Sequence, residues 1–251
     1  MPAKRAFYLR HQVTPYVILF IERDGSTYLS GLLMSHPEIH ALYERFAELK
    51  QQGVSAKEQL TWADQFLSPP LVGRHAAFGF KTKLVDVLDL AGFTELLKQK
   101  KCHIIYMQRR NRVKAVISRI NAKRLHEKSG YWNLYKEADR VPPTAFDLDE
   151  FDRYLKERED ADQELGSYIN QIQLPTLKLV YEDLMVAKDT VLQQVFSFLK
   201  VQPCPVQGKS LKHTSDNLRD VILNFDELRA HYRETPYAEM FDEVLVQPSA
   251  R

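Results

Sequence analysis

Two short segments carry side chains whose types and spacing suit the binding of anions. The first is Glu22-Arg-Asp-Gly-Ser-Thr27. Gly25 lets the backbone turn closely around a ligand. The N–H groups of Gly25, Ser26 and Thr27 would point at an anion, with the dipole of a following helix behind them. The two hydroxyls add donors, and Arg23 adds a fixed charge with a planar donor fork. The second segment is Gln108-Arg-Arg-Asn111, with Ser118 eight residues beyond Arg110. In a helix beginning near Asn111, Ser118 lies two turns along. Its hydroxyl can then meet an anion that an arginine at the helix start also holds. Each segment has a plainer reading: an ordinary strand-to-helix turn with an N-cap serine for the first, solvated arginines and a surface serine for the second. The first segment lacks Gly-Lys-Ser/Thr, which disfavours a P-loop ATPase, and one glycine is too few for a dinucleotide fingerprint.

Strands must end where these segments begin. Residues 16–21 are wholly apolar and rich in β-branched side chains, the pattern of a central parallel strand covered on both faces. A helix is expected over 27–35. Pro37 suits a first helical turn, so a helix is expected over 37–51, and another over 56–66. Residues 76–80 read as a second strand ending in Lys81-Thr-Lys83, followed by a helix over 84–99 with a glycine at its middle. Residues 102–107 read as a third strand. Val113, Val116, Ile117 and Ile120 give 111–126 helical spacing. Asp147-Leu-Asp-Glu150 resembles a capping box opening a helix to residue 172. A fourth strand is expected at 177–181, a helix at 191–199 and a helical piece near 217–229. This alternation predicts an α/β fold, a single domain with a central parallel sheet flanked by helices. Ligands in such sheets sit outside the carboxyl ends of strands. The two segments therefore make two anion sites at two strand ends. A ligand with two separated anionic groups, such as a 3′,5′-bisphosphorylated adenosine, satisfies both.

Bulk properties narrow the class. The 251 residues, 44% hydrophobic, suffice for one sizeable core. With 35 Lys and Arg against 33 Asp and Glu, the net charge of +2 excludes a general polyanion binder. No nucleic-acid partner is expected, and a positive site must be local. Cys102 and Cys204 are the only cysteines, too few for a disulfide framework, which favours a reducing compartment. The apolar run at 16–21 is about a third of a membrane span. The chain is expected to be cytoplasmic, unless it is a catalytic domain cut from a longer protein.

In order and spacing the motifs resemble the sulfotransferases that use 3′-phosphoadenosine 5′-phosphosulfate (PAPS). Glu22-Arg-Asp-Gly-Ser-Thr-Tyr-Leu29 is similar to the family's 5′-phosphosulfate loop, usually Arg/Lys-Ser-Gly-Thr/Ser-Thr. Tyr106-Met-Gln-Arg-Arg-Asn-Arg-Val-Lys-Ala-Val-Ile-Ser118 resembles its 3′-phosphate motif. Tyr181-Glu-Asp-Leu184 matches a stretch ending a later strand. Lys212-His-Thr-Ser-Asp-Asn-Leu218 and Asn224-Phe-Asp-Glu-Leu228 resemble the tail of bacterial, nodulation-type carbohydrate sulfotransferases. The resemblance runs from about residue 16 to 230. Asp24 departs from it, standing where the family has a small Ser or Thr; its carboxylate repels a phosphate unless it points away or pairs with Arg23.

The resemblance implies a P-loop-like sulfotransferase fold over 1–251 and sulfonate transfer from PAPS, with adenosine 3′,5′-bisphosphate as product and no metal. Arg23, Asp24, Gly25, Ser26, Thr27 and Tyr28 would form the phosphosulfate loop. Arg110 and Ser118 would hold the 3′-phosphate, Tyr181 would lie near the adenine, and Lys212 or Lys209 would close over the nucleotide. Lys81 matches a strand-end lysine that stabilises the transferring group. Glu44 matches a glutamate base at this distance from the loop arginine, with His36 and His40 as rivals. The acceptor implied is a carbohydrate hydroxyl, with a natural-product alcohol or amine and a peptide tyrosine as alternatives; Trp132 and Tyr135 either line its pocket or pack a loop. Two other classes compete: a nucleotide kinase with a degenerate phosphate loop, and a non-catalytic nucleotide-binding protein. Oligomeric state is left open.

Overall fold

A computed structural model describes residues 8–9, 13–68, 72–208 and 214–245. In chain order its elements are β1 (Tyr8–Leu9), β2 (Thr14–Leu19), α1 (Ser26–Met34), β3 (Ile39–Leu42), α2 (Arg45–Gln51), α3 (Ala56–Phe66), β4 (Val72–Gly73), β5 (Ala77–Thr82), α4 (Leu90–Gln99), β6 (His103–Gln108), α5 (Arg112–Ser129), α6 (Leu148–Ile172), β7 (Thr176–Val180), α7 (Tyr181–Val186), α8 (Lys188–Leu199), α9 (Phe225–His231) and α10 (Ala238–Asp242). Five strands form one parallel sheet in the order β3-β5-β2-β6-β7, and β1 pairs antiparallel with β4.

The apolar run of β2 and its extension explains this layering. Tyr16, Ile18 and Phe20 pack with Leu29, Leu32 and Leu33 of α1 and with α8 through Val195, Phe196 and Leu199. Val17, Leu19 and Ile21 face the other way, against Phe46, Phe80, Phe93, Leu97, Leu165 and Ile169. Alternate side chains of one strand thus enter two cores, which is why the segment is apolar throughout. A third core joins α5 and α6 to α9 and α10 around Phe151, Phe225 and Phe241. Among the described residues no helix is long and apolar enough to cross a membrane.

Three expected helical segments are corrected. Within 37–51, residues Ile39–Leu42 instead form a strand, its register on β5 running from Ile39↔Ala77 to Leu42↔Phe80; strand pairing overrides the helix start suggested by Pro37. The expected helix at 84–99 is a 3₁₀ turn, Leu84–Asp86, then an extended Val87 and a fresh helix at Leu90. Asp89 caps that helix by accepting from the Gly92 N–H at 2.9 Å. The expected helical piece near 217–229 is a short 3₁₀ turn, Leu218–Asp220, followed by α9.

β2 has β5 on one side and β6 on the other. Connections therefore leave it in opposite directions, opening a crevice at the carboxyl edge of the sheet. Each strand delivers one chemically active position to that edge: Glu44 after β3, Lys81 within β5, Arg23 after β2, Arg109 after β6 and Tyr181 after β7.

Candidate active site

The loop between β2 and α1 is bent by two left-handed residues, Arg23 (φ 71°) and Gly25 (φ 82°). For the arginine this costs roughly 1–2 kcal/mol. Gly25 is required for a second reason: a Cβ there would lie 2.3 Å from the Tyr181 ring. Gly25 is also the N-cap of α1, which has no side-chain cap. The first-turn N–H groups therefore depend on an acceptor outside the helix.

Arg23 joins the two sequence segments. Its Nε donates to Ser118 Oγ at 2.9 Å, and a terminal nitrogen donates to the Trp132 carbonyl at 3.2 Å. Burial, with neighbouring Arg109, lowers the Arg23 guanidinium to about 10. Arg109 is lowered as well, by burial first. Its guanidinium lies 4.8 Å from the Tyr181 ring centre and donates to the Arg23 carbonyl at 3.2 Å. Carboxylates nearby are committed elsewhere. Asp24 pairs with Arg158 at 2.6 Å, and Glu22 with Arg119 at 3.3 Å. Glu182 accepts the backbone N–H groups of Arg110 and Asn111 at 3.0 and 3.1 Å, leaving Arg109 Nε 3.9 Å away. Two half-buried like charges thus face one crevice, an arrangement that an anion relieves.

Across the loop, Lys81 is 1% exposed. Its ammonium donates to Thr27 Oγ1 at 2.7 Å and Ser26 Oγ at 3.3 Å, and sits 2.8 Å from Glu44 Oε1. Lys83 lies 3.7 Å from the other Glu44 oxygen. Burial would raise the Glu44 carboxyl, but the two lysines, Lys81 foremost, hold it below its ordinary range. Lys81 is lowered by burial, which Glu44 offsets only in part. A carboxylate, an ammonium and two hydroxyls in contact can take a proton from one atom and steady negative charge on another.

The structure brings Arg23, Gly25, Ser26, Thr27, Lys81, Glu44, Ser118 and Tyr181 to one edge. It sets other expected residues differently. The Arg110 side chain is exposed and pairs with Asp183 at 2.8 Å. Asp24 points away from the crevice into the protein, and its partner is Arg158 rather than Arg23. The Tyr28 ring packs near Gly208. His36 is corrected as a candidate base. It follows the far end of α1, about 13 Å along that helix from the loop, and both ring nitrogens are engaged, with the Gln202 carbonyl at 2.8 Å and the Glu38 N–H at 3.0 Å. His40 packs among Phe66, His75 and Phe78. Lys209 and Lys212 lie outside the described residues. Trp132 and Tyr135 have rings more than half exposed, Trp132 stacked on His126.

Three residues at this edge have no role in the sequence reading: Arg109, Glu182 and Arg158. Arg109 reads as one of two equivalent arginines after β6, yet only its guanidinium lies over the Tyr181 ring, while Arg110 is exposed and pairs with Asp183. Glu182 lies within the Tyr-Glu-Asp-Leu stretch without an evident task. Arg158 sits in a charged helix far along the chain and carries no local signal.

No protein-family model matches the chain. It is 24% identical over 238 residues to Nodulation protein H of Rhizobium tropici, covering 91% of this chain and 93% of the relative. It is 23% identical over 242 residues to Nodulation protein H of Rhizobium meliloti, covering 91% and 95%. Among solved structures, a sulfotransferase from Alicyclobacillus acidocaldarius aligns with a TM-score of 0.50 at 15% identity, covering 91% of this chain and 94% of that one. The chain therefore has the fold of that sulfotransferase.

Proposed function

We propose that this chain, a sulfotransferase by fold, moves the sulfonate group of PAPS to a carbohydrate hydroxyl and releases adenosine 3′,5′-bisphosphate. The observation that carries the reading is the close pair of cations, Arg23 and Arg109, beside a helix start with no side-chain cap; Glu182 stays 3.9 Å from Arg109, and Asp24 and Glu22 pair with other arginines. A nucleotide with two separate anionic groups adds negative charge there, and the residues present fit it. Arg23 and the first-turn N–H groups of α1 would hold the 5′-phosphosulfate. Ser118 would take the 3′-phosphate together with Arg110. The exposed Arg110–Asp183 pair is worth little, so it does not hinder that turn. Tyr181, whose ring lies against Gly25 with the Arg109 guanidinium over it, would lie near the adenine.

In the transfer, Glu44 takes the acceptor's proton as the acceptor oxygen bonds to sulfur and the bond from sulfur to the bridging oxygen breaks. Arg23 and Lys81 stabilise the charge that the bridging oxygen gains. Lys81 suits this because it already touches both Glu44 and the loop hydroxyls. The flat, partly exposed rings of Tyr43, Trp132 and Tyr135 offer apolar faces with polar rims; these suit a polyhydroxylated ring, and the tail motifs resemble those of carbohydrate sulfotransferases.

An acceptor screen with radiolabelled PAPS tests this. Label should move to an oligosaccharide. Transfer to a tyrosine peptide or a simple alcohol instead would overturn the acceptor, and bisphosphate binding without transfer to any acceptor would overturn the enzyme.

A further inference from the structure

We propose that Arg158, on α6 and outside every motif of the sequence, is a positioning residue that holds the phosphate loop in its binding shape through a buried pair with Asp24. The inference deepens the function proposed above and rests on it for the identity of the ligand.

The guanidinium grips the loop on both sides of Arg23. One terminal nitrogen donates to Asp24 Oδ1 at 2.6 Å, and the other lies 3.4 Å from the Glu22 carbonyl. The second Asp24 oxygen accepts the Ile21 N–H at 3.1 Å. Residues 21, 22 and 24 are thus pinned while Arg23 between them takes its left-handed backbone. The clamp is itself anchored: Arg158 Nε donates to Asp162 Oδ1 at 3.1 Å, and Asp162 Oδ2 accepts from Arg112 Nε at 2.8 Å. Arg112 opens α5, the helix that carries Ser118. A line of alternating charges through α6 therefore ties the two anion-binding segments together.

Charge gives the clamp a second task. Asp24 stands where the resembled loop has a small hydroxyl residue, and it is 1% exposed. The groups around it are Arg158 and Asp162 from α6 and Arg109 and Tyr106 from β6. Burial pushes its carboxyl up to about 7, against Arg158, which favours the ionised form. Without Arg158 the Asp24 carboxyl would titrate higher still and take up a proton, and the ion pair that holds the loop would be lost.

The test compares Arg158→Met, Arg158→Lys, Asp24→Ser and the double variant Asp24→Ser/Arg158→Met. Affinity for adenosine 3′,5′-bisphosphate and amide hydrogen exchange of residues 21–27 are both read. Removing one member of a buried pair is far more damaging than replacing both. Arg158→Met should therefore lose at least about tenfold in affinity and exchange its loop amides at least about tenfold faster. The double variant should be less impaired than Arg158→Met, which strands Asp24 without its partner, yet should still exchange its loop amides faster than wild type because the clamp is gone. Arg158→Lys should lie between Arg158→Met and wild type. Wild-type affinity and exchange in Arg158→Met, or wild-type exchange in the double variant, would overturn the proposal. Should Arg158→Met fail to fold, the double variant decides alone: faster exchange of residues 21–27 with weaker binding supports the clamp, and wild-type values of both refute it. A wild-type protein that ignores the bisphosphate would sink the function instead, while the exchange measurement still judges Arg158.

Discussion

Glu44 and Lys81 are bound to each other, and each sets the ionisation of its neighbour. The proposed transfer would need the carboxylate ionised and the ammonium charged. Glu44 is held below the ordinary carboxylate range, since Lys81 and Lys83 outweigh its burial, and Lys81 falls below the ordinary lysine range because burial prevails. The working form therefore lies between the two: it is lost as pH falls through the depressed Glu44 value and as pH rises through the depressed Lys81 value. A profile of kcat/KM against pH should show both limbs displaced downward. Glu44→Gln should cut turnover by about 10²–10⁴ and abolish the acid limb while leaving nucleotide affinity intact; unimpaired turnover would move the base elsewhere. The two arginines after β6 are separable in the same way. Arg109→Ala should weaken AMP and adenosine 3′,5′-bisphosphate alike, by about 1.5–3 kcal/mol each, as for a lost charged hydrogen bond. Arg110→Ala should weaken the bisphosphate alone. Identical effects of the two variants on both ligands would contradict this division.

At the scale of elements, the loop between β2 and α1 works only because α7 arrives over it. Gly25→Ala combines a left-handed backbone with a Cβ 2.3 Å from the Tyr181 ring. The backbone strain alone costs about 1–2 kcal/mol, so this variant should melt earlier and lose nucleotide binding; native binding would mean that the loop is not the cradle. This loop was legible in the sequence, because an apolar run, a glycine and two hydroxyl residues each have one local explanation. β3 was not. Its four residues alternate inward and outward, and what makes them a strand is pairing with β5, which no local pattern displays. Asp89 hid the break before α4 in the same manner, as a helix cap seven residues after the last residue of β5. Arg158 was invisible for a related reason: its partner lies 134 positions away.

For the molecule as a whole, the sheet order is also the order of the chemistry. Reading β3-β5-β2-β6-β7 across the edge gives a carboxylate, an ammonium, the phosphate loop, an arginine and an aromatic ring. Strands stand about 4.8 Å apart, so in the proposed reaction the base and the 3′-phosphate site would fall on opposite sides of β2. The alternation of strands and helices made the parallel sheet legible from the sequence, whereas the sideways order depends on long-range pairing and was not. The most direct test of the account is calorimetric titration with adenosine 3′,5′-bisphosphate and with AMP. A 3′-phosphate held by its own charged partners should make the bisphosphate about 10- to 100-fold tighter, corresponding to about 1.5–3 kcal/mol. Equal affinities for the two nucleotides would contradict a second anion site and the transfer reaction built on it.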